Sequence, residues 1–223
     1  ERQRLDQICV LGEDFPYLCR HRAIHLETRL HENQFGTTAL RRDRGHGRAD
    51  AKNASFVACG RHHAARGRAA HCDRLAPQFK TIARYYKIHG DRYHVRWDYA
   101  FYQMLIETNF LTYRTGSGKW GDVRPSQNNF AGIGATGGGA PGDRYPDVST
   151  GVLAQIQHLV AYSGEMVERP VAPRTREVQD KVVELSRALH RPVTWRDLAG
   201  RWAVDKKYGA SIEFIAERYR ARF

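Results

Sequence analysis

The sequence predicts a mainly α-helical domain over residues 76–223, preceded by a segment without a clear pattern. Three observations support this fold class. Apolar residues recur every three or four positions in several stretches after residue 75, as they do on the buried face of a helix. A long stretch rich in Gly, Pro and Asn interrupts these helices. Residues 1–75, by contrast, show poor periodicity.

The amino-terminal segment is basic and rich in Arg, His, Gly and Ala. Residues 41–70 include few large apolar side chains, so they cannot bury enough surface to offset the entropy lost on ordering. We therefore expect residues 1–75 to be poorly ordered. A zinc site would use Cys59, His62, His63, His71 and Cys72. Because their spacing is not that of zinc ligands, free thiols are preferred to zinc or to disulfides, and no metal or cofactor is predicted.

Six helical segments follow in order along the domain. The second is apolar on most sides, which predicts a central position. The fifth is short and begins with a sequence that resembles a capping box. The segments are Pro77–His89, Trp97–Leu111, a helix from Ser149 or Thr150, Arg174–Leu189, a short helix from Thr194, and Ser211–Arg222. Residues 112–148 are expected to form a long irregular loop or a short β-hairpin after the central helix.

The central helix carries one carboxyl group with apolar neighbours. Glu107 is preceded by Met104 and Leu105 and followed by Phe110. Partial removal from water would raise the pKa of such a group, as general acid catalysis near neutral pH requires. The alternative is a structural carboxylate paired with an arginine such as Arg114.

The loop after this helix has the composition expected of a glycan-binding wall. Its glycines allow a long polymer to approach closely. Trp120 and Phe130 offer flat apolar faces for sugar rings, and Gln127, Asn128 and Asn129 offer donors and acceptors for hydroxyl and acetamido groups. A carboxyl-bearing helix followed by a polar and aromatic wall is a plausible arrangement for cleaving a glycosidic bond.

Several other function classes are less well supported. The net charge of +12 suits a polyanionic partner, either nucleic acid or an acidic cell-wall polymer. TWRDLAGRWAV at 194–204 followed by a helix resembles a helix-turn-helix, but the last helix is expected to bury Ile212 and Ile215, so nucleic acid is not the favoured partner. A P-loop is disfavoured because Gly118-Lys119 is followed by Trp120. The sequence contains no apolar run long enough for a membrane span and no visible signal peptide.

Three segments in the domain resemble one family. QMLIET at 103–108 resembles the QAxLES signature of bacterial peptidoglycan β-N-acetylglucosaminidases, the flagellar and autolysin glucosaminidase domains. NNFAGIG at 128–134 is similar to the NNxFGIK segment of that family, and RWAVDKKY at 201–208 resembles its YATDxxY segment. The three occur in the family's order, and the resemblance covers roughly residues 77–223.

This resemblance implies a lysozyme-like helical fold at 76–223 that cleaves peptidoglycan glycan strands after N-acetylglucosamine, in the periplasm or outside the cell. It implies Glu107 as general acid, with Gln103, Trp202 and Tyr208 near the substrate. Trp202 replaces the tyrosine of the family segment, and the second carboxylate has no clear counterpart. Asp143 is the preferred candidate for it by position, ahead of Asp122 and Asp147. The alternatives are a lytic transglycosylase or muramidase on a related fold, or a non-enzymatic module that binds nucleic acid or glycan.

Overall fold

The computed structural model describes Leu40 and residues 77–222, and this part of the chain is mainly α-helical. It has five α-helices: α1 (Ile82–Tyr93), α2 (Trp97–Glu107), α3 (Val148–Tyr162), α4 (Pro173–Arg187) and α5 (Tyr208–Arg222). Short 3₁₀ turns occur at Pro77–Phe79, Pro125–Gln127 and Trp195–Leu198. The described residues form no β-strand, which confirms the mainly α fold class.

Helix α2 lies at the centre, as its composition predicts. It packs against α1, α3 and α5, and most of its side chains are buried. Its contact with α1 is close at Gly90, where a Cβ atom would lie 2.3 Å from the Cβ of Trp97. Only glycine allows the two helices to approach to this distance.

The central helix is shorter than the sequence predicts. It ends at Glu107 instead of Leu111 because Asn109, Phe110 and Leu111 all adopt positive φ angles. The Thr108 hydroxyl stabilises this reversal by donating to the Met104 carbonyl oxygen (2.8 Å) and accepting from the Leu111 amide (2.9 Å). Glu107 therefore lies at the end of the helix, where the long loop begins.

Residues 108–147, here called the long loop, connect α2 to α3. A hairpin is present only as an isolated antiparallel bridge between Arg114 and Trp120. The loop lies directly on α3 at Gly151, where a Cβ atom would be 1.8 Å from the Asn128 carbonyl oxygen. The side chain of Asp147 caps α3 by accepting from the Thr150 amide (2.7 Å), so this helix begins one residue earlier than Ser149.

The other helix boundaries differ from the predicted ones by a few residues. The predicted first helix divides into a 3₁₀ turn and α1, α4 ends two residues early, and α5 begins at Tyr208 instead of Ser211. Thr194 and Asp197 form the expected capping box before a 3₁₀ turn. Ile212 and Ile215 are buried, which leaves this face of α5 unavailable to a DNA groove.

One residue of the amino-terminal segment belongs to the described structure. Leu40 is fully buried in the main core. Its amide donates to the Val193 carbonyl oxygen (2.9 Å), and its carbonyl oxygen accepts from the Arg96 amide (3.2 Å). The other residues expected to be poorly ordered, and the cysteines and histidines weighed as a zinc site, lie outside the described residues.

Candidate active site

Glu107 lines a groove of about 600 Å³ that lies between the helices and the long loop. The side chain of Glu107 is half-buried at the end of α2. The helical side of the groove includes Trp202 and Ala203 from the turn before α5. The loop side includes Asn109, Tyr113, Arg114, Thr115, Gly116, Gly121, Asp122, Val123, Ala131, Gly132 and Ala135.

One oxygen of the Glu107 carboxyl is held by two donors. The Trp202 indole Nε1–H donates to Oε1 (3.0 Å), and the Tyr208 hydroxyl donates to the same oxygen. Trp202 is placed by a tight turn in which its amide donates to the Leu198 carbonyl oxygen (2.8 Å). Its ring packs against His158 and Tyr162, with both centroid distances at 5.0 Å. The Glu107 carboxyl group is therefore hydrogen bonded to a side chain that is itself held by packing.

The electrostatic environment favours the protonated form of this carboxyl group. Burial raises the pKa of Glu107 from its ordinary 4.5 to about 7, although the hydrogen bonds from Tyr208 and Trp202 act in the opposite direction. A pKa near 7 allows one group to hold a proton at neutral pH and still release it during a reaction. The raised pKa expected from the apolar neighbours of Glu107 is therefore present, and its role as general acid stays a prediction.

Behind Glu107, a chain of buried side chains connects α5, α2, α3 and α1. Gln103 donates through Nε2 to the Tyr208 hydroxyl oxygen (3.0 Å), and Gln155 donates to Gln103 Oε1 (2.8 Å). The Tyr86 hydroxyl donates to Gln155 Oε1. Gln103 was expected to touch substrate, but it is fully buried and does not line the groove.

Most polar residues expected to bind sugar instead hold the long loop together. Asn129 is fully buried and donates to the carbonyl oxygens of Ile133 (2.8 Å) and Asp143 (3.0 Å). The Gln127 side chain accepts from the Arg124 backbone amide (2.7 Å) and donates to the Pro141 carbonyl oxygen. The Asn128 side chain donates through Nδ2 to the Tyr145 carbonyl oxygen (3.1 Å). A loop without regular structure leaves many backbone groups without backbone partners, and the side-chain amides of these three residues act as partners instead.

The two loop aromatics occupy different environments. Phe130 is buried and packs edge-on against Phe79 in the core, so it offers no face to a sugar. Trp120 is 45% exposed, and the guanidinium groups of Arg114 and Arg124 lie 4.1 and 5.3 Å from its ring centroid. Trp120 therefore remains available at the rim, next to the groove-lining Arg114 and Gly121.

The carboxylates considered beside Glu107 are also separated by the fold. Asp143 lies outside the groove lining and accepts from the Arg174 amide at the start of α4 and from the Tyr145 hydroxyl, both at 3.3 Å. Asp147 caps α3. Asp122 is exposed and lines the same groove as Glu107.

Several residues of the site were not identified from the sequence. Gln155 carried a weak signal, because it is one of the few polar residues in the apolar helix α3. Gly132 has a φ of +63°, which favours glycine, and a Cβ atom there would lie in van der Waals contact with Glu107 Oε2, at 3.6 Å. The hydroxyl of Tyr113, a groove-lining residue, is buried without a hydrogen-bond partner among the described residues.

No group of three or more His, Cys, Asp or Glu side chains in residues 77–222 is arranged to hold a metal ion. In the same part of the chain, none of the helices combines the length and the apolar character that crossing a membrane requires.

Comparison with known proteins gives a relative but no family. No family model matches the chain, and no solved structure matches it. An uncharacterized protein of Borreliella burgdorferi is 31% identical over 125 residues, which cover 54% of this chain and 53% of that protein. The chain thus spans about half the length of the curated relative it matches.

Proposed function

We propose that this chain is a peptidoglycan hydrolase that cleaves the glycan strand after N-acetylglucosamine, with Glu107 as general acid. The observation that carries the proposal is the state of this carboxyl group. It lies in a groove, its pKa is raised to about 7, and only one of its oxygens is held by donors from the described residues. The three segments similar to bacterial glucosaminidases support a lysozyme-like fold and a site of action in the periplasm or outside the cell.

The chemistry begins with proton transfer. Glu107 donates its proton to the glycosidic oxygen, and the bond from that oxygen to C1 of N-acetylglucosamine breaks with its electron pair going to the oxygen. Positive charge then develops at C1. Water adds to C1 and releases a proton to a base, for which we propose Asp122 in place of Asp143 because Asp122 lines the groove. Alternatively, the acetamido oxygen attacks C1 first, and water opens that intermediate.

The groove suits a polymer of amino sugars. It is open to solvent, and Gly116, Gly121 and Gly132 in its wall leave space for a chain of rings. The exposed ring of Trp120 offers a flat face at the rim.

Zymography on purified cell walls tests the proposal. Glu107→Gln keeps the shape of the side chain but removes the transferable proton, so turnover should fall by at least about 100-fold. Cell-wall binding should remain nearly intact. Glu184→Gln, the same change at an exposed position on α4, should retain full activity. If Glu107→Gln keeps more than about a tenth of wild-type activity, Glu107 is not the general acid.

A lytic transglycosylase or muramidase is the second candidate. It is favoured by the position of Asp143, which lies outside the groove lining. The groove then contains one half-buried carboxyl group, that of Glu107, and one exposed carboxyl group, that of Asp122. Mass spectrometry of the products distinguishes the candidates. N-acetylglucosamine at the new reducing end supports the glucosaminidase, whereas muramic acid there, or an end lighter by one water, supports the alternatives. Asp122→Asn should abolish hydrolysis if Asp122 is the base, but leave a transglycosylase active.

A further inference from the structure

The series of buried hydrogen bonds behind Glu107 has a defined donor-to-acceptor direction, which is set by one backbone carbonyl group. Gln155 Nε2 lies 3.0 Å from the Ala100 carbonyl oxygen and 2.8 Å from Gln103 Oε1. A carbonyl oxygen only accepts, so the NH₂ end of Gln155 must face Ala100. Its two hydrogens are then both used, and its Oε1 accepts from the Tyr86 hydroxyl.

The direction passes from Gln155 to Tyr208. Because Gln103 Oε1 accepts from Gln155, the NH₂ end of Gln103 faces the Tyr208 hydroxyl oxygen at 3.0 Å and donates to it. The single hydrogen of the Tyr208 hydroxyl is then directed to Glu107 Oε1. Gln103 and Gln155 are fully buried, and Tyr208 is nearly so, which keeps water from competing for these bonds.

The hydrogen bonds also decide which oxygen of Glu107 holds the acid proton. Oε1 accepts from both Tyr208 and Trp202, which occupies its two lone pairs. A proton on Oε1 would clash with the two hydrogens that Tyr208 and Trp202 donate to this oxygen, so the proton is favoured on Oε2. Oε2, by contrast, receives no hydrogen bond from any residue in 77–222 and lies beside the groove-lining Gly132.

We propose that Gln155 and Gln103 are positioning residues that orient the Tyr208 hydroxyl and thereby keep the Glu107 proton on Oε2, beside the groove. This inference deepens the proposed function and rests on it for its purpose, because a proton on Oε2 is placed where a glycosidic oxygen could receive it. The hydrogen-bond direction itself does not depend on any substrate.

The other titratable groups near Glu107 do not supply this direction. Tyr86 and Tyr208 both stay protonated, since burial raises the pKa of each well above its ordinary value, and burial also raises the pKa of Tyr113. Asp122 and Arg114 line the same groove from the long loop. Neither makes a hydrogen bond to Glu107 within the described part of the chain.

The experiment measures the pKa of Glu107 directly by following its ¹³C-labelled side-chain carboxyl signal in NMR titrations, assigned with Glu107→Gln. Tyr208→Phe removes a donor to the ionised carboxyl and should raise the pKa by about one. Gln155→Met frees Gln103 to turn its oxygen toward Tyr208, which withdraws the hydroxyl hydrogen from Glu107. The pKa should rise, by less than in Tyr208→Phe, and Gln155→Met should have no further effect when Tyr208 is already Phe.

Gln157→Met is the matched control. Gln157 is also a buried amide on α3, but it donates to the Tyr93 hydroxyl (3.0 Å) and accepts from the Val171 amide (2.8 Å), away from Glu107. Its replacement should leave the pKa unchanged at a similar loss of melting temperature. Gln103→Met removes the donor to the Tyr208 hydroxyl oxygen, which weakens the hydrogen bond that Tyr208 donates to Glu107. It should raise the pKa of Glu107 by less than Gln155→Met does, and it decides the question if Gln155→Met does not fold.

The inference is overturned if the folded Gln155→Met or Gln103→Met protein keeps the wild-type pKa, or if Gln157→Met shifts it equally. These titrations contain no substrate, so the inference and the proposed function fail separately. If Glu107→Gln remains active while the titrations behave as expected, the hydrolase proposal fails and the positioning chain stands.

Discussion

The two walls of the groove use polar side chains in different ways. On the helical wall, formed by the ends of α2 and α5 and the turn before α5, buried polar groups converge on one carboxyl oxygen from 95 and 101 residues away. On the long loop, Asn129 and Gln127 bond to backbone groups within 16 residues of themselves. The helical wall thus holds one carboxyl group in place, whereas the long loop uses its amide side chains to hold its own backbone.

This difference shows how to interpret polar residues in a groove. A helix satisfies its own backbone, so a buried side-chain amide such as Gln103 is available to other residues. An irregular loop has no such internal pairing, so its amides are consumed locally. Substitutions of polar residues on the long loop should therefore lower the free energy of unfolding, whereas substitutions on the helical wall should change the pKa of Glu107.

The largest change in stability should come from Asn129→Ala. Its fully buried side chain accepts from the Ile133 amide and donates to the carbonyl oxygens of Ile133 and Asp143. Its removal leaves the buried Ile133 amide unpaired and takes one of two donors from each carbonyl oxygen. We expect the free energy of unfolding to fall by about 3 kcal/mol, measured by chemical denaturation. Ser126→Ala, at an exposed position of the same loop, should cost less than about 0.5 kcal/mol. Equal losses for the two variants would contradict a structural role for Asn129.

The second effect is a pH dependence that belongs to Glu107. Its pKa in the folded protein, about 7, exceeds its ordinary 4.5, so the folded state binds more protons between these values. The contribution of Glu107 to stability is therefore complete below about pH 4.5 and is lost as the pH rises through about 7. The stability of wild type relative to Glu107→Gln should decline over this range, and activity should fall above its upper end.

Denaturation curves of both proteins at several pH values measure this difference and cancel the groups they share. If the difference in the free energy of unfolding between the two proteins stays constant from pH 4.5 to 8, Glu107 ionises as an ordinary surface carboxyl.

A smaller effect is expected for Trp202→Phe. The change removes the N–H that donates to Glu107 but keeps most of the ring contact with His158 and Tyr162. The pKa of Glu107 should rise, and glycan fragments should bind a few-fold more weakly in calorimetry, with little change in melting temperature. Trp97→Phe, a matched change at a buried position away from the groove lining, should leave binding unchanged. Lower melting with unchanged binding would make Trp202 a core aromatic alone.

The smallest effect on stability should come from Trp120→Ala. This exposed ring contacts Arg114 and Arg124 in a setting where cation–π contacts contribute about 1 kcal/mol or less. Binding of glycan fragments should weaken measurably if the ring is a sugar platform at the rim. If both binding and stability remain at wild-type values, the groove ends before Trp120.

Local patterns were enough to predict the helices and the position of Glu107. The apolar spacing in α2 indicated a central helix, and the apolar neighbours of Glu107 indicated a raised pKa, because both depend on residues within one or two turns. The end of α2 was misplaced because Thr108 stabilises a run of left-handed residues that apolar periodicity does not reveal. The glucosaminidase resemblance implied that Trp202 and Tyr208 lie near the substrate, but it did not imply their hydrogen bonds to Glu107.

The sequence by itself determined the helical class, the central helix and the carboxyl group that this helix carries. The tertiary structure alone decided which polar residues serve the groove and which serve the loop. From the sequence, Gln103 and Asn129 were candidates for binding sugar, and Asp143 was the candidate for the second carboxylate. Folding placed Gln103 against Tyr208, 105 residues away, and bound Asn129 and Asp143 to nearby backbone. The physical reason is that a buried polar group must be paired, and only the packed structure supplies its partner.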